Sequence, residues 1–298
     1  MAFSIHFVDF WNGHDPTNNI ITNTIRHYIY PNLEITSLPK DADIIFVTIY
    51  GNNHLEVIKK YRNKCILWLG ENKRPNNYGC PFSISFDFHS YNKTNFRQPL
   101  WHSEIDWFGT QLGVIHISNV QKELVDPLEI TTIDIQDLEF CITVFNNPEG
   151  ERILLYQLLN SYKKVSAFGK PFGNWFPTYN DYRDKITKLT GYKFNLCPEN
   201  SYQPGYYTEK CIHAKLAKNL PIYKAESLVK NDFRPASFVN LYDYKTAESC
   251  VEHIKLLDKH PHLLAAQINE PLLYCKPNLD EFINFLRYSI GTLLTCKS

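Results

Sequence analysis

The stretch Tyr192 to Lys224, YKFNLCPENSYQPGYYTEKCIHAKLAKNLPIYK, constrains the fold more than any other part of the chain. It dictates strand, loop, helix and strand in turn. Tyr192 to Leu196 alternates aromatic and polar side chains before closing on leucine, the period of a strand. Pro198-Glu199-Asn200-Ser201 and Gln203-Pro204-Gly205 carry turn chemistry. Thr208 is expected as the N-cap of a helix, with Glu209 in its first turn. Ile212 and Leu216 share one face of that helix. Asn219 is expected to take the left-handed conformation that closes it, and Leu220 to Tyr223 reads as a short buried strand.

Lys210 sits awkwardly in that pattern. A cation in a first turn opposes the partial positive charge of a helix N-terminus, by about 0.3–1 kcal/mol. A phosphate docked there would reverse the sign, since backbone N–H groups and the lysine would all face an anion. An exposed lysine on an ordinary α/β unit is the other reading.

The rest of the chain repeats the same grammar. Ser4 to Asp9, Leu33 to Leu38, Ile44 to Ile49 and Cys65 to Leu69 read as strands. Asn19 to Tyr28 and Leu55 to Tyr61 read as helices between them. Strands separated by helices imply a mostly parallel sheet. The fourth strand runs into Gly70-Glu71-Asn72-Lys73-Arg74-Pro75, and ligands in open α/β sheets lie beyond the carboxyl ends of strands. An acidic, weakly periodic segment from Asn119 to Glu139 marks a domain boundary. A second α/β series follows: a strand over Phe140 to Phe145, a helix after Arg152, a strand over Val165 to Phe168, then the stretch above, a strand over Ser237 to Leu241 and a helix over Glu248 to Leu257. A final helix covers Leu279 to Leu286. The expected domains are residues 1–130, 131–275 and a C-terminal helix in 276–298 that packs back on the first.

Composition narrows the function. Lys+Arg and Asp+Glu number 31 each in 298 residues, so the net basic footprint of a dedicated nucleic-acid binder is missing. Any phosphate site must be a local cluster. The eight cysteines form no CxxC pair, and no signal peptide or membrane-length apolar run is visible. A reducing, cytoplasmic setting without a transmembrane segment is expected. No metal is expected either. HExxH and Cys/His arrays are lacking, and Asp41-Ala42-Asp43 precedes its strand and reads as a turn. His260-Pro261-His262 reads as a surface turn.

The letters of the central stretch add more. ENS, then YxTEK, then an apolar helix and LPIY, resembles the signature of the α-1,3-fucosyltransferases, glycosyltransferase family 10. Further matches follow in the family's order. They are GEN at Gly70-Glu71-Asn72, SFD at Ser85-Phe86-Asp87, Arg97-Gln98-Pro99-Leu100 with Trp101, the Asn-Pro-Arg pattern at Asn146 to Arg152, and SFVN at Ser237 to Asn240. Departures are Phe145 for a serine, Lys218 where many relatives have glycine, and Ala225-Glu226-Ser227 in a glycine-bearing loop.

The resemblance implies a GT-B fold, with two Rossmann-like domains of mostly parallel sheets facing a cleft. It implies an inverting, metal-independent transfer of fucose from GDP-fucose to a hydroxyl of an oligosaccharide acceptor containing GlcNAc or glucose. No cofactor is implied. Glu71 would be the general base. Arg152 and Lys210 would neutralise the departing diphosphate, and Asn200, Tyr206 and Glu209 would line the donor site. A transferase using another GDP-sugar, or a non-catalytic glycan- or nucleotide-binding protein of the same fold, stays open beside it.

Overall fold

A computed structural model of the chain describes residues 3–103, 105–108, 120–148, 150–178 and 182–296. Residues 104 and 109–119, the last of which opens the expected boundary segment, lie outside that set, as does residue 149. Contacts divide the chain into Met1–His116 with Pro277–Ser298, and Ile117–Lys276.

In the first unit β1 (Ser4–Val8), β2 (Glu34–Ile35), β3 (Ile44–Val47), β4 (Cys65–Leu69), β5 (Phe82–Ser85) and β6 (Asn95–Arg97) form one sheet in the order β2-β1-β3-β4-β5-β6. Every neighbouring pair is parallel. β3 and β4 are buried along their whole length, which explains their unbroken apolar runs. Ile44 and Phe46 point to one face of the sheet, Ile45 and Val47 to the other. Helix α1 (Ile20–Tyr28) starts where Asn19 accepts a hydrogen bond from the Thr22 amide. It packs with α9 (Leu279–Thr295) over the Ile44/Phe46 face, to which α9 brings Phe282, Leu286, Ile290 and Leu293. α2 (His54–Tyr61) supplies Ile58 to the opposite face.

The second unit holds β7 (Glu139–Val144), β8 (Val165–Phe168), β9 (Tyr192–Leu196), β10 (Leu220–Tyr223) and β11 (Val239–Asn240), in the order β11-β10-β9-β7-β8. This sheet is also parallel throughout. A short α3 (Val120–Val125) precedes it, and α4 (Arg152–Tyr162), α5 (Tyr182–Leu189), α6 (Lys210–Leu216), α7 (Ala247–Lys259) and α8 (Pro261–Asn269) complete the unit. Leu155 and Leu159 of α4 share a core with Phe194, Leu220 and Ile222 of the sheet, and with Val251 and Ile254 of α7. Among the described residues no helix is long and apolar enough to cross a membrane.

Three expectations from sequence need correction. Thr208 does not cap α6. Glu209 takes the cap position with no side-chain cap bond, because the Thr208 amide and hydroxyl both bond Glu199. Asn219 does not close α6 in the left-handed region. Lys218 does, at φ 61°, while the Asn219 amide group donates to Tyr192 O at 2.7 Å. The His260-Pro261-His262 segment is the start of α8 rather than a free turn, with Pro261 in the first helical turn, where its missing N–H costs nothing.

Lys218 therefore bears a side chain in a conformation that glycine adopts without penalty. Lys218→Gly is expected to stabilise the chain by about 1 kcal/mol, read as a higher urea midpoint at unchanged slope. A lower midpoint would mean the lysine side chain contributes more than its backbone costs.

Candidate active site

The second sheet reverses its strand order at β7, with β8 on one side and β9 on the other. Open α/β sheets bind ligands beyond the strand ends at such a reversal. The loop after β7 leads to Arg152, first residue of α4, and the loop after β9 leads to Lys210, first residue of α6. Two cations that look misplaced in sequence thus emerge beside each other, at the carboxyl ends of adjacent strands.

Arg152 is only 2% exposed. Its Nε donates to Pro198 O at 3.1 Å, its Nη1 to Asn147 O at 2.9 Å, and its Nη2 to both Pro198 O and Asn200 Oδ1. The guanidinium carbon lies 5.3 Å from the centre of the Phe145 ring. Phe145, standing where a serine was expected, thus packs against the guanidinium. Arg152 and Asn200 are brought into direct contact, and the arginine braces the loop that carries Asn200.

Lys210 is held from the same loop. Its Nζ donates to Glu199 Oε2 at 2.7 Å and to Thr208 Oγ1 at 2.9 Å. In the sequence Glu199 stands in a turn and in the ENS motif without a role of its own, and the fold makes it a hub. Its other oxygen accepts from the Thr208 amide at 2.9 Å, the Thr208 hydroxyl at 2.6 Å and the Tyr223 hydroxyl at 2.5 Å. The carboxylate is 5% exposed, and buried charge survives only when paired and hydrogen-bonded. Burial alone would pull the Lys210 ammonium down, but the Glu199 and Glu209 carboxylates outweigh it and hold it above its ordinary value. No spacing rule pointed to Glu199, because Thr208, Lys210 and Tyr223 meet it only once β9, α6 and β10 are stacked.

Glu209 stands 4.0 Å from Lys210 Nζ and 3.9 Å from Lys185 Nζ of α5. Burial works against its ionised form, yet Lys210, Lys185 and His213 bring its carboxyl down to about 2. Burial also drives His213 down to about 3, so a neutral ring faces Lys185 Nζ across 3.1 Å. Tyr206 is buried on the same loop, its amide bonded to Gln203 O. The loop is fastened by Glu226, whose carboxylate accepts from the Gly205 amide at 3.0 Å, the Tyr207 hydroxyl and the Leu228 amide at 2.7 Å. The Ala225-Glu226-Ser227 departure thus supplies the anchor of the Tyr206 segment. Two clefts flank Pro198, one lined by Lys185, Lys210 and His213, the other by Arg152, Asn200, Tyr202 and Lys224.

Glu71 belongs to the first unit. It is exposed, two residues beyond the end of β4, and its carboxylate adjoins the Tyr50 hydroxyl. Arg74 Nη1 lies 2.7 Å from Asp87 Oδ1 and ties the following loop to the end of β5. Asp43 of the Asp-Ala-Asp sequence accepts from the Ser4 amide and hydroxyl at 3.0 and 3.1 Å, a structural turn. Among the described residues no group of three His, Cys, Asp or Glu side chains is arranged to hold a metal ion.

Two parallel sheets of this order, with charged loops at the reversal of the second, are those of a GT-B glycosyltransferase. The chain shares its fold with a crystal structure of an α1,3-fucosyltransferase with GDP-fucose, at a TM-score of 0.72 and 23% identity over 97% of this chain and 90% of that one. Residues 5–103 match the profile of the "Alpha-(1,3)-fucosyltransferase FucT N-terminal domain", and residues 137–266 that of "Glycosyltransferase family 10 (fucosyltransferase) C-term". The chain belongs to glycosyltransferase family 10. It is 28% identical over 260 residues to the α-(1,3)-fucosyltransferase FucT of Helicobacter pylori, covering 80% of this chain and 54% of that protein. It is 31% identical over 132 residues to human 4-galactosyl-N-acetylglucosaminide 3-α-L-fucosyltransferase 9, covering 43% of this chain and 36% of that one. The chain thus spans about half or less of the length of these relatives.

Two outcomes test the cluster. Glu199→Gln keeps the shape but leaves Lys210 without its neutralising charge, and should cost about 2 kcal/mol in urea unfolding; an unchanged midpoint would remove Glu199 as the hub. Glu209 is held at about 2, below its ordinary 4.5. Its contribution is complete above pH 4.5 and fades as pH falls towards 2. Stability measured across that window should fall less steeply in Glu209→Gln than in the parent.

Proposed function

We propose that the chain transfers fucose from GDP-fucose to a hydroxyl of a glycan containing glucose or N-acetylglucosamine, with inversion at the anomeric carbon. The observation that carries this reading is the convergence of Arg152 and Lys210 on one short loop, residues 198–200, at the strand reversal of the second sheet. In this reading the second unit holds the donor and the first the acceptor.

The chemistry asks for two things. A base must take the proton of the acceptor hydroxyl, and the charge of the leaving diphosphate must be stabilised. Glu71 takes the proton as the acceptor oxygen attacks the anomeric carbon. The bond from that carbon to the β-phosphate oxygen breaks, and GDP leaves with the electron pair. Lys210 commits two of its three N–H bonds to Glu199 and Thr208, and directs the third at a diphosphate oxygen. Because both partners are fixed beforehand, the ammonium needs no reorganisation as charge develops. Arg152 acts through its charge and by shaping the loop, with its N–H groups bonded to Pro198, Asn200 and Asn147. Each such charge-assisted contact is worth about 1.5–3 kcal/mol. Glu209, ionised at neutral pH, accepts from the ribose hydroxyls, and Asn200 and Tyr206 complete the wall.

The relatives support the reading in kind. One neighbour of the same fold was solved with GDP-fucose, and the human relative's name specifies an N-acetylglucosaminide acceptor. The decisive experiment offers the protein GDP-fucose, GDP-mannose and UDP-sugars with a panel of disaccharides, scoring transfer and hydrolysis separately. Transfer from GDP-fucose alone is expected, undiminished by EDTA. Glu71→Gln should bind GDP normally and lose turnover by at least about a hundredfold. Lys210→Ala should weaken GDP binding about tenfold or more by calorimetry; unaltered affinity would place the diphosphate elsewhere.

A further inference from the structure

The first sheet also reverses its strand order, between β1 and β3, with β2 paired on the far side of β1. The crevice beyond those strand ends is the expected place for a ligand in this unit too. What the chain puts there is aromatic. Trp11, in the loop after β1, is 41% exposed, and Tyr50, in the loop after β3, is 40% exposed. Their rings meet nearly at right angles, with centroids 6.0 Å apart.

The pair rests on a built foundation. Trp11 packs against Trp68 at 5.4 Å and against His14 at 4.8 Å. Burial brings His14 down to about 4, so the ring beneath Trp11 is uncharged at neutral pH. The far edge of the Trp68 indole presses on Gly70, where a β-carbon would come within 2.7 Å of it. Gly70 is thus required for the chain to pass over the indole and deliver Glu71 as the next residue. The loop bearing Tyr50 is pinned from below. The Tyr50 amide bonds Asp9 O at 3.1 Å, and the Asp9 carboxylate accepts from the amides of Asn53 and His54, both at 2.6 Å. Burial first, and then the neighbouring Glu71 carboxylate, raise the Tyr50 phenol, which stays protonated beside that carboxylate.

We infer that Trp11 and Tyr50 form a sugar-binding ledge, on which a hexopyranose of the acceptor lays its C–H face against Trp11, with Tyr50 standing at its edge, while the carboxylate of Glu71 accepts from one of its hydroxyls. Pyranoses present an apolar face ringed by hydroxyls. Two exposed rings with a carboxylate at their margin match that pattern. A purely apolar partner would gain nothing from the carboxylate. In this proposal Tyr50 is a positioning residue, its neighbouring hydroxyl orienting the Glu71 carboxylate towards the sugar. The inference rests on the transferase reading for the chemistry of Glu71, while the binding of a sugar to the ledge does not.

The test uses the full chain and two probes, lactose and N-acetyllactosamine, followed by saturation-transfer NMR and, with GDP-fucose present, by initial rates. Trp11→Ala is expected to weaken disaccharide binding about tenfold or more while GDP affinity stays unchanged, and Trp11→Phe to recover most of the loss. Tyr50→Phe keeps the ring, so disaccharide affinity should hold while kcat falls about tenfold, a split that a merely structural role would not produce. Disaccharide binding unaffected by Trp11→Ala, or absent from the parent protein, overturns the ledge. A parent that binds disaccharide in this way but transfers nothing would strike the transferase reading and leave the ledge standing.

Discussion

A single buried carboxylate, that of Glu199, sets the geometry of the second unit's ligand-bearing end. Two segments distant from one another donate to it: the entry to α6, through Thr208 and Lys210, and the end of β10, through Tyr223. A carboxylate so little exposed is tolerated only because both of its oxygens find donors. The arrangement fixes Lys210 before any ligand arrives. It also leaves the local charge nearly balanced, so a lysine can stand at the start of a helix without unpaired repulsion. Arg152 plays the complementary part, a buried cation whose N–H groups fasten the loop from the other side.

The two units solve the same problem with opposite materials. Both are parallel sheets that reverse strand order once, and both gather their distinctive side chains at that reversal. In the second unit the loops are charged and mutually hydrogen-bonded. In the first they are aromatic, with one exposed carboxylate at the edge. Charged loops complement a diphosphate, whereas exposed aromatic rings complement the weakly polar face of a sugar.

Much of this was legible in the sequence because it rests on local patterns. The buried strands β3 and β4 announce themselves as unbroken apolar runs, and β9 by its alternation. Lys210 stood out as a cation in a first turn, which a nearby anion would explain, and Arg152 through the family pattern it completes. What the sequence concealed depends on tertiary neighbours. α5 is strongly hydrophilic and carries too few apolar residues to betray its period. The choice between Lys218 and Asn219 as the left-handed residue turned on Asn219 being recruited by Tyr192 O. Glu199 stood in a turn and in the ENS motif with no role of its own, and Tyr50 followed a strand with none. Their roles arise from groups that approach only after the sheets form.

Helix α9 has a consequence for how the chain comes into being. The face of the first sheet bearing Ile44 and Phe46 is covered by residues 279–295, which are made only after the whole of the second unit. On the ribosome, at about 5–20 residues per second, the earlier-born half must wait for its last wall with that apolar face covered by α1 alone. The half translated first is therefore completed last, and its nascent form is the one with most need of a chaperone.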